Sequence, residues 1–355
     1  MLGNWNERRR SAPSRRQFLT TLGAIGAGLT LPDWILATQA SASSAKLGLI
    51  DLHQHFFPPE FIVAALDKYR PRERAIVSGW TPEEALAEME KHSVATGILS
   101  ITTPGIWFGE VEDARTLARK CNEYGGELVR HHRGRFGFFA VLPLPDTDGS
   151  LREIAYALDV LKADGIGLMT NYGNTWPGHS RYAPVFEELN RRKAIVYFHP
   201  TAVDCCRDLM PDVPAPLIEY PHDTSRAITS FLYSGSFARF RDIRFIFSHA
   251  GGTIPMLAGR ISQLGTLFGN DKKVPAGVEY ELKRLYYEIA NSANQPAMAA
   301  LMALVPMSHI LFGSDSPFVP TSVTADGIKT LGLSAADLQA IGRDNALTLF
   351  PRLKS

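Results

Sequence analysis

The chain has 355 residues, 45% of them hydrophobic and 21% charged, with a net charge of +1. That is ordinary globular composition, and it leaves no electrostatic basis for nucleic-acid binding. The length suits one large α/β barrel or two domains, so the order of elements has to decide.

Residues 1–42 differ in kind from the rest. Arg8, Arg9 and Arg10 make a basic start, and Ser14-Arg15-Arg16-Gln17-Phe18-Leu19 follows the twin-arginine pattern, with Thr20 where lysine is common. A weakly apolar stretch rich in Gly and Ala runs to Ala37, and Ala40-Ser41-Ala42 offers a small-residue cleavage site. This predicts a Tat signal over 1–42, handling of the precursor by the Tat export machinery, and a periplasmic or otherwise exported domain over 43–355. The competing reading is a transmembrane anchor. Gly23, Gly26, Gly28, Pro32 and Asp33 weaken it, because they interrupt a segment already short for a span. The leader holds five arginines and two acids, so the remainder carries 32 basic and 34 acidic residues, a net −2. Cys121, Cys205 and Cys206 show no zinc-ligand spacing. Cys205 and Cys206 are adjacent and could form only a strained bridge, so three thiols are expected.

After the leader, short apolar runs alternate with longer segments of helical spacing. Strands are predicted at 49–55, 97–102, 136–142, 166–170, 194–199, 243–249, 285–290 and 310–314. A helix is predicted at 81–92, where Thr81-Pro82-Glu83-Glu84 supplies a cap and a first-turn proline. Others are predicted at 114–131, 151–163, 183–193, 223–237 and 335–350. Strand–helix alternation eight times over predicts a (β/α)8 TIM barrel. The alternative, an open doubly wound sheet, calls for a glycine-rich phosphate turn after strand one; His53-Gln54-His55-Phe56-Phe57-Pro58-Pro59 stands there instead. The stretch 200–221, with Pro200, Pro211, Pro214, Pro216 and Pro221, reads as an insertion after strand five. At that position it would form a lid or partner-contact loop over the mouth.

Barrel enzymes place their chemistry at the C-terminal ends of the strands. Strand one ends in His53 and His55, whose i, i+2 spacing puts both imidazoles on one face of a strand. Strand five ends in His199, strand six in His249 and strand eight in Asp315. A lone buried histidine is ordinarily a satisfied core residue. Four at equivalent strand ends, with an aspartate, point to a metal. Three neutral imidazoles and one carboxylate suit a single Zn²⁺, with Mn²⁺ or Fe²⁺ as alternatives. We assign His53, His55, His199 and Asp315 as the ligands and place His249 beside them as acid/base or oxyanion partner. Phe56 and Phe57, directly after the His-x-His, and Trp107, after strand two, are candidate walls for a ring substrate. Ordinary loop packing is the alternative for each.

The motifs Asp51-Leu52-His53-Gln54-His55-Phe56-Phe57-Pro58, Phe198-His199-Pro200 and Glu219-Tyr220-Pro221-His222-Asp223-Thr224-Ser225-Arg226 carry a family resemblance, as do His249-Ala250-Gly251-Gly252-Thr253-Ile254-Pro255 through Arg260, and Gly313-Ser314-Asp315. Together they resemble the amidohydrolase superfamily. The likeness is closest to the branch that includes aminocarboxymuconate semialdehyde decarboxylase and 6-methylsalicylate decarboxylase. The resemblance implies a metal-dependent carboxy-lyase acting on a small aromatic or unsaturated carboxylic acid, 6-methylsalicylate-like. It also implies Asp315 as a second proton carrier beside His249. Arg260 is then a substrate-carboxylate arginine, delivered across a homodimer interface, with a helix-surface arginine as the alternative. Arg226 is either a further substrate contact or a local partner of Asp223. Binuclear members carry a carboxylated lysine at the end of strand four; here that strand ends Gly167-Leu168-Met169-Thr170-Asn171, so one metal is expected. A hydrolase on the same scaffold, opening a lactone or amide, stays open as the alternative, and the export signal favours it. A non-catalytic periplasmic binding protein would not need so complete a ligand set.

Overall fold

The computed structural model describes residues 48–354, apart from 207, 208 and 211. The predicted Tat leader therefore lies outside the described residues. Eight strands follow one another in chain order around a barrel: β1 (Leu49–His55), β2 (Val94–Ser100), β3 (Phe136–Val141), β4 (Gly165–Met169), β5 (Ile195–His199), β6 (Arg244–Phe247), β7 (Tyr286–Glu288) and β8 (Ile310–Leu311). Each pairs in parallel with the next. The chain just beyond β8 closes the barrel: Leu52 N–H donates to Phe312 O at 3.0 Å, and Asp315 N–H donates to His53 O at 2.8 Å. The (β/α)8 TIM barrel read from the sequence is the architecture found.

Strands covered on both faces need apolar side chains on both. Ile50, Leu52, Ile98, Phe139, Ile195, Tyr197, Ile246 and Leu311 fill the barrel's interior, with Phe139 and Tyr197 stacked at 5.1 Å. Residues of opposite parity, such as Leu168, Phe198 and Phe247, pack outward in the layer shared with the helices. Ala346, Leu349, Phe350 and Leu353 join the inner cluster from the C-terminal segment. They close the end at which the strands begin, where Arg343 donates to Gly48 O at 2.7 Å and Asn345 to Ile310 O at 2.8 Å. Leu349→Ala is expected to cost about 2–5 kcal/mol of stability. Because Leu349 sits at the end opposite the histidines, metal content should not change. Denaturant unfolding beside metal analysis checks both; full stability would refute the plug.

Several boundaries need correcting. β2 begins at Val94, three residues before the predicted start, because Val94 is itself buried. β7 and β8 are shorter than predicted. The predicted helix at 81–92 is Pro82–Lys91, capped by Thr81 Oγ1, which accepts from Glu84 N–H at 3.2 Å. The helix predicted from 151 starts at Thr147, because Asp146 caps it by accepting from Gly149 N–H. The predicted lid over 200–221 is also too long. Helix Ala215–Tyr233 begins inside it, with Pro216 in a first turn that lacks intrahelical N–H bonds and Pro221 within the helix. Helix Ile254–Leu267, which carries Arg260, was not predicted.

Candidate metal centre

The pocket begins with an irregularity in β1. Asp51 faces Gly97 and Gln54 faces Leu99, so three steps on β1 oppose two on β2. An extra residue of this kind changes which side chains face inward. Ile50 and Leu52 belong to the inner cluster. His53 and His55, of the other parity, also face in: their rings lie 5.2 and 4.7 Å from that of His199. Asp51 secures the bulge. Its Oδ1 accepts from His53 N–H and Ser314 N–H, and its Oδ2 from Gln54. Burial outweighs these bonds and pushes Asp51 up to about 6.

The ends of β6, β7 and β8 supply the rest, on strained backbone. His249, Ala250, Asn291 and Asp315 have φ of 52°, 57°, 57° and 71°, in the left-handed region. Such residues cost about 1–3 kcal/mol each and persist where the surroundings over-determine them. Glycine permits the arrangement at one point: a Cβ on Gly313 would collide with the Glu288 carboxylate.

One ligand-capable atom from each of His53, His55, His199 and Asp315 lies within 4.8 Å of the others. The hydrogen bonds behind the rings set their tautomers. His55 Nδ1 lies 3.2 Å from Ser100 O. A carbonyl can only accept, so Nδ1 carries the proton and Nε2 a lone pair. His53 Nδ1 donates to Glu288 Oε1 at 2.8 Å, leaving its Nε2 equally bare. These two Nε2 atoms are 3.1 Å apart, and Asp315 Oδ1 lies 3.1 Å from that of His55 and 3.3 Å from that of His53. Three electron-rich atoms in such contact repel unless a positive charge, a proton on His53 Nε2 or a cation, sits among them. His199 adds a fourth: its buried Nδ1 has no hydrogen-bond partner among the described residues. The donor set therefore fits a divalent metal.

The electrostatics agree. Burial would lower His53, but the Glu288 and Asp315 carboxylates hold it up to about 10, so the pocket favours positive charge at this point. Burial depresses His55, and depresses His199 well below its ordinary value. Burial would raise Asp315, yet His53 keeps it well below the usual carboxylate range.

His249 stands at the edge of this cluster, its ring 5.0 Å from His53. Nδ1–H donates to Ala290 O at 3.0 Å, which leaves Nε2 available for proton exchange. Glu288 was missed from the sequence. It is fully buried and accepts from His53 Nδ1, from His249 N–H at 2.9 Å and from Ala290 N–H at 2.7 Å. A carboxylate closing an apolar strand run is the same signal that marks Asp315. Asn291, also missed, donates to Asp315 Oδ2 at 2.8 Å and turns Oδ1 toward the histidines.

The predicted aromatic wall is corrected. Phe56 stacks on Tyr124 in the outer layer, 6.2 Å away, and does not line the pocket. Phe57 packs on Phe61 and Trp80, one layer behind Phe318. The ring beside His55 is Phe318, at 5.6 Å, backed by Tyr69. Tyr220 lies 6.5 Å from His199. Trp107 lines a separate surface groove with Val111, Pro145 and Arg181, which contains none of the clustered residues. Arg226 turns toward Asp223, 3.8 Å away. Arg260 is exposed and reaches no residue of the cluster within its own chain. At the end of β4, Thr170 Oγ1 donates to Asp223, and no lysine is present.

A TIM barrel with three histidines, an aspartate and a fourth histidine at its C-terminal rim defines a barrel enzyme with a candidate metal site. The amidohydrolase family model matches residues 50–352, and the chain belongs to that family. It is 37% identical over 325 residues to decarboxylase macB of Penicillium terrestre, covering 86% of this chain and 95% of that protein. It is 36% identical over 319 residues to 6-methylsalicylic acid decarboxylase acuB of Aspergillus aculeatus, covering 86% and 96%. Among solved structures it resembles a dihydroxybenzoic acid decarboxylase from Polaromonas sp. with bound manganese, with a TM-score of 0.77 at 22% identity over 87% of this chain and 98% of that one.

Proposed function

We propose that this chain is a metal-dependent decarboxylase of a small aromatic carboxylic acid of the 6-methylsalicylate kind. The observation that carries the reading is the convergence of His53, His55, His199 and Asp315 on one point beside His249. The decarboxylases that match it along nearly their whole length support the reaction class. Three nitrogens and one oxygen suit a single Zn²⁺; Mn²⁺ stays a candidate because the Polaromonas relative holds manganese. His53, His55, His199 and Asp315 would hold a divalent cation, and it would supply Lewis-acid chemistry at the substrate's carboxylate.

The residues supply the remainder. Loss of CO2 leaves negative charge on a ring carbon, which must receive a proton. With Nδ1–H engaged by Ala290 O, His249 Nε2 is the nitrogen that takes up a proton from solvent and passes it to that carbon. Asp315, held by Asn291 through Oδ2, is the second carrier in reach. Phe318 and Tyr220 offer ring faces against which an aromatic acid can pack.

Arg260 belongs to the same reading through a second copy of the chain. Met256, Arg260, Gln263 and Leu267 recur at helical spacing on one face of Ile254–Leu267, and Met256, Leu267 and the following Phe268 are left in solvent. Apolar side chains around an exposed arginine support a homodimer that carries Arg260 to the neighbour's carboxylate substrate, where a guanidinium forks onto it. The twin-arginine leader supports action outside the cytoplasm.

The test is CO2 release from a panel of hydroxybenzoates by the metal-loaded protein. Decarboxylation of ortho-hydroxy acids is expected, with about one equivalent of metal per chain. Lactone turnover without CO2 would overturn the reaction, and two equivalents of metal would overturn the mononuclear site.

A further inference from the structure

Two thiols that decarboxylation leaves unused lie on the turn after β5. We propose that Cys205 and Cys206 form a thiol–disulfide exchange site for small-molecule disulfides, closing on each other into a reversible vicinal disulfide. Both are free thiols, and their Sγ atoms are 2.8 Å apart. Cys205 is exposed and Cys206 half-buried, whereas Cys121, the remaining cysteine, is buried in the core. The pair is accessible and the third thiol is an internal control.

The turn is braced, so the sulfurs stay together. Cys206 N–H donates to Val203 O at 3.0 Å, and Asp204 N–H donates to Asn174 Oδ1 at 3.1 Å. Upstream, Thr201 N–H donates to Thr170 Oγ1 at 3.1 Å, and Thr201 Oγ1 meets Thr103 Oγ1 at 2.8 Å. Two thiols on one fixed turn meet as an intramolecular pair, which no external thiol at ordinary concentration matches.

The exposed and covered sulfurs take different parts. The contact with Cys205, then burial, holds the Cys206 thiol above its ordinary value, with Arg226 opposing. Cys205, the more exposed sulfur, begins the exchange, and the covered Cys206 completes it. Cys205 thiolate attacks one sulfur of the small disulfide, forming a mixed disulfide. The first small thiolate leaves and takes up the proton that Cys205 had lost. Cys206 then gives up its proton and attacks Cys205 Sγ. The bond to the small group breaks, and the second small thiol departs with that proton. Two cysteine thiols are oxidised and one small disulfide is reduced to two thiols. Adjacent Cα atoms lie about 3.8 Å apart, below the roughly 4.4–6.8 Å usual for a disulfide, so the closed ring is strained and readily reopened by a small thiol.

The experiment uses the full chain, treated with oxidised glutathione, quenched with iodoacetamide and read by intact mass and peptide mapping. The expected product is lighter by two hydrogens, with the Cys205-Cys206 peptide refractory to alkylation until reduced glutathione is added. Cys121 should alkylate only after denaturation. Cys206→Ser is expected to stop at the mixed disulfide on Cys205. A wild-type pair that still alkylates freely, a stable glutathione adduct on the wild type, or a Cys206→Ser protein without adduct would each overturn the proposal.

Discussion

His199→Ala is expected to lose the bound metal and at least about 100-fold of decarboxylase activity, more than the 10–100-fold typical for residues one step behind a ligand. The expectation rests on three features of His199. Its Nδ1 is buried and unpaired among the described residues, so in protein contacts alone the side chain is a cost. Its burial keeps it neutral, the form that offers a lone pair to a cation. Its backbone, by contrast, is well used: Met169 pairs with it across β4, and its carbonyl accepts from Thr170 N–H at 3.0 Å. Substitution should therefore empty the ligand set while β5 stays in place. Metal analysis, a thermal melt and CO2 release together decide. A folded His199→Ala protein that retained both its metal and its rate would remove His199 from the ligand set.

His199 was legible in the sequence for a simple reason. A strand's alternation and the position of its C-terminal end are local properties, and the barrel rule turns them into a place in space. The same logic located His53, His55, His249 and Asp315 at the rim. It failed where position depends on the path of a loop. Phe56 follows His55 directly, yet the chain turns it out to Tyr124. Phe318 takes the wall instead, from a loop 262 residues after Phe56 in the sequence. Arg226 had two readings, and only the fold of helix Ala215–Tyr233 showed that it turns to Asp223. The lid was overestimated because prolines mark both loops and first turns of helices, and Pro216 is of the second kind. The bulge in β1 left no mark in the residue pattern, although it lets Leu52 and His53 both face inward. Glu288 stayed hidden because the predicted strand ran on to residue 290, which placed this carboxylate inside the strand and not at its end.

Glu288→Gln is expected to weaken metal binding by about 10–100-fold and to slow turnover even at saturating metal. The carboxylate accepts from three donors: His53 Nδ1, His249 N–H and Ala290 N–H. An amide of the same shape has one acceptor oxygen, and its NH2 must face a donor in whichever orientation it takes. A buried donor left without a partner costs about 1–3 kcal/mol. His53 would also lose the anion that fixes its tautomer, so Nε2 would no longer be held as the bare atom facing Asp315 and His55. The second effect is separate, because Glu288 reaches the backbone of His249, a residue already in the left-handed region. Raising the metal concentration should restore occupancy but leave a deficit in kcat from the misplaced His249. That split between recoverable binding and unrecovered turnover is the signature of a positioning residue; a merely structural role would lower stability and leave both metal affinity and kcat of the folded fraction intact. Competition with a chromogenic chelator measures the affinity, and CO2 release at saturating metal measures the rate. If both matched the wild type, the link from Glu288 through His53 and His249 to the metal centre would be wrong.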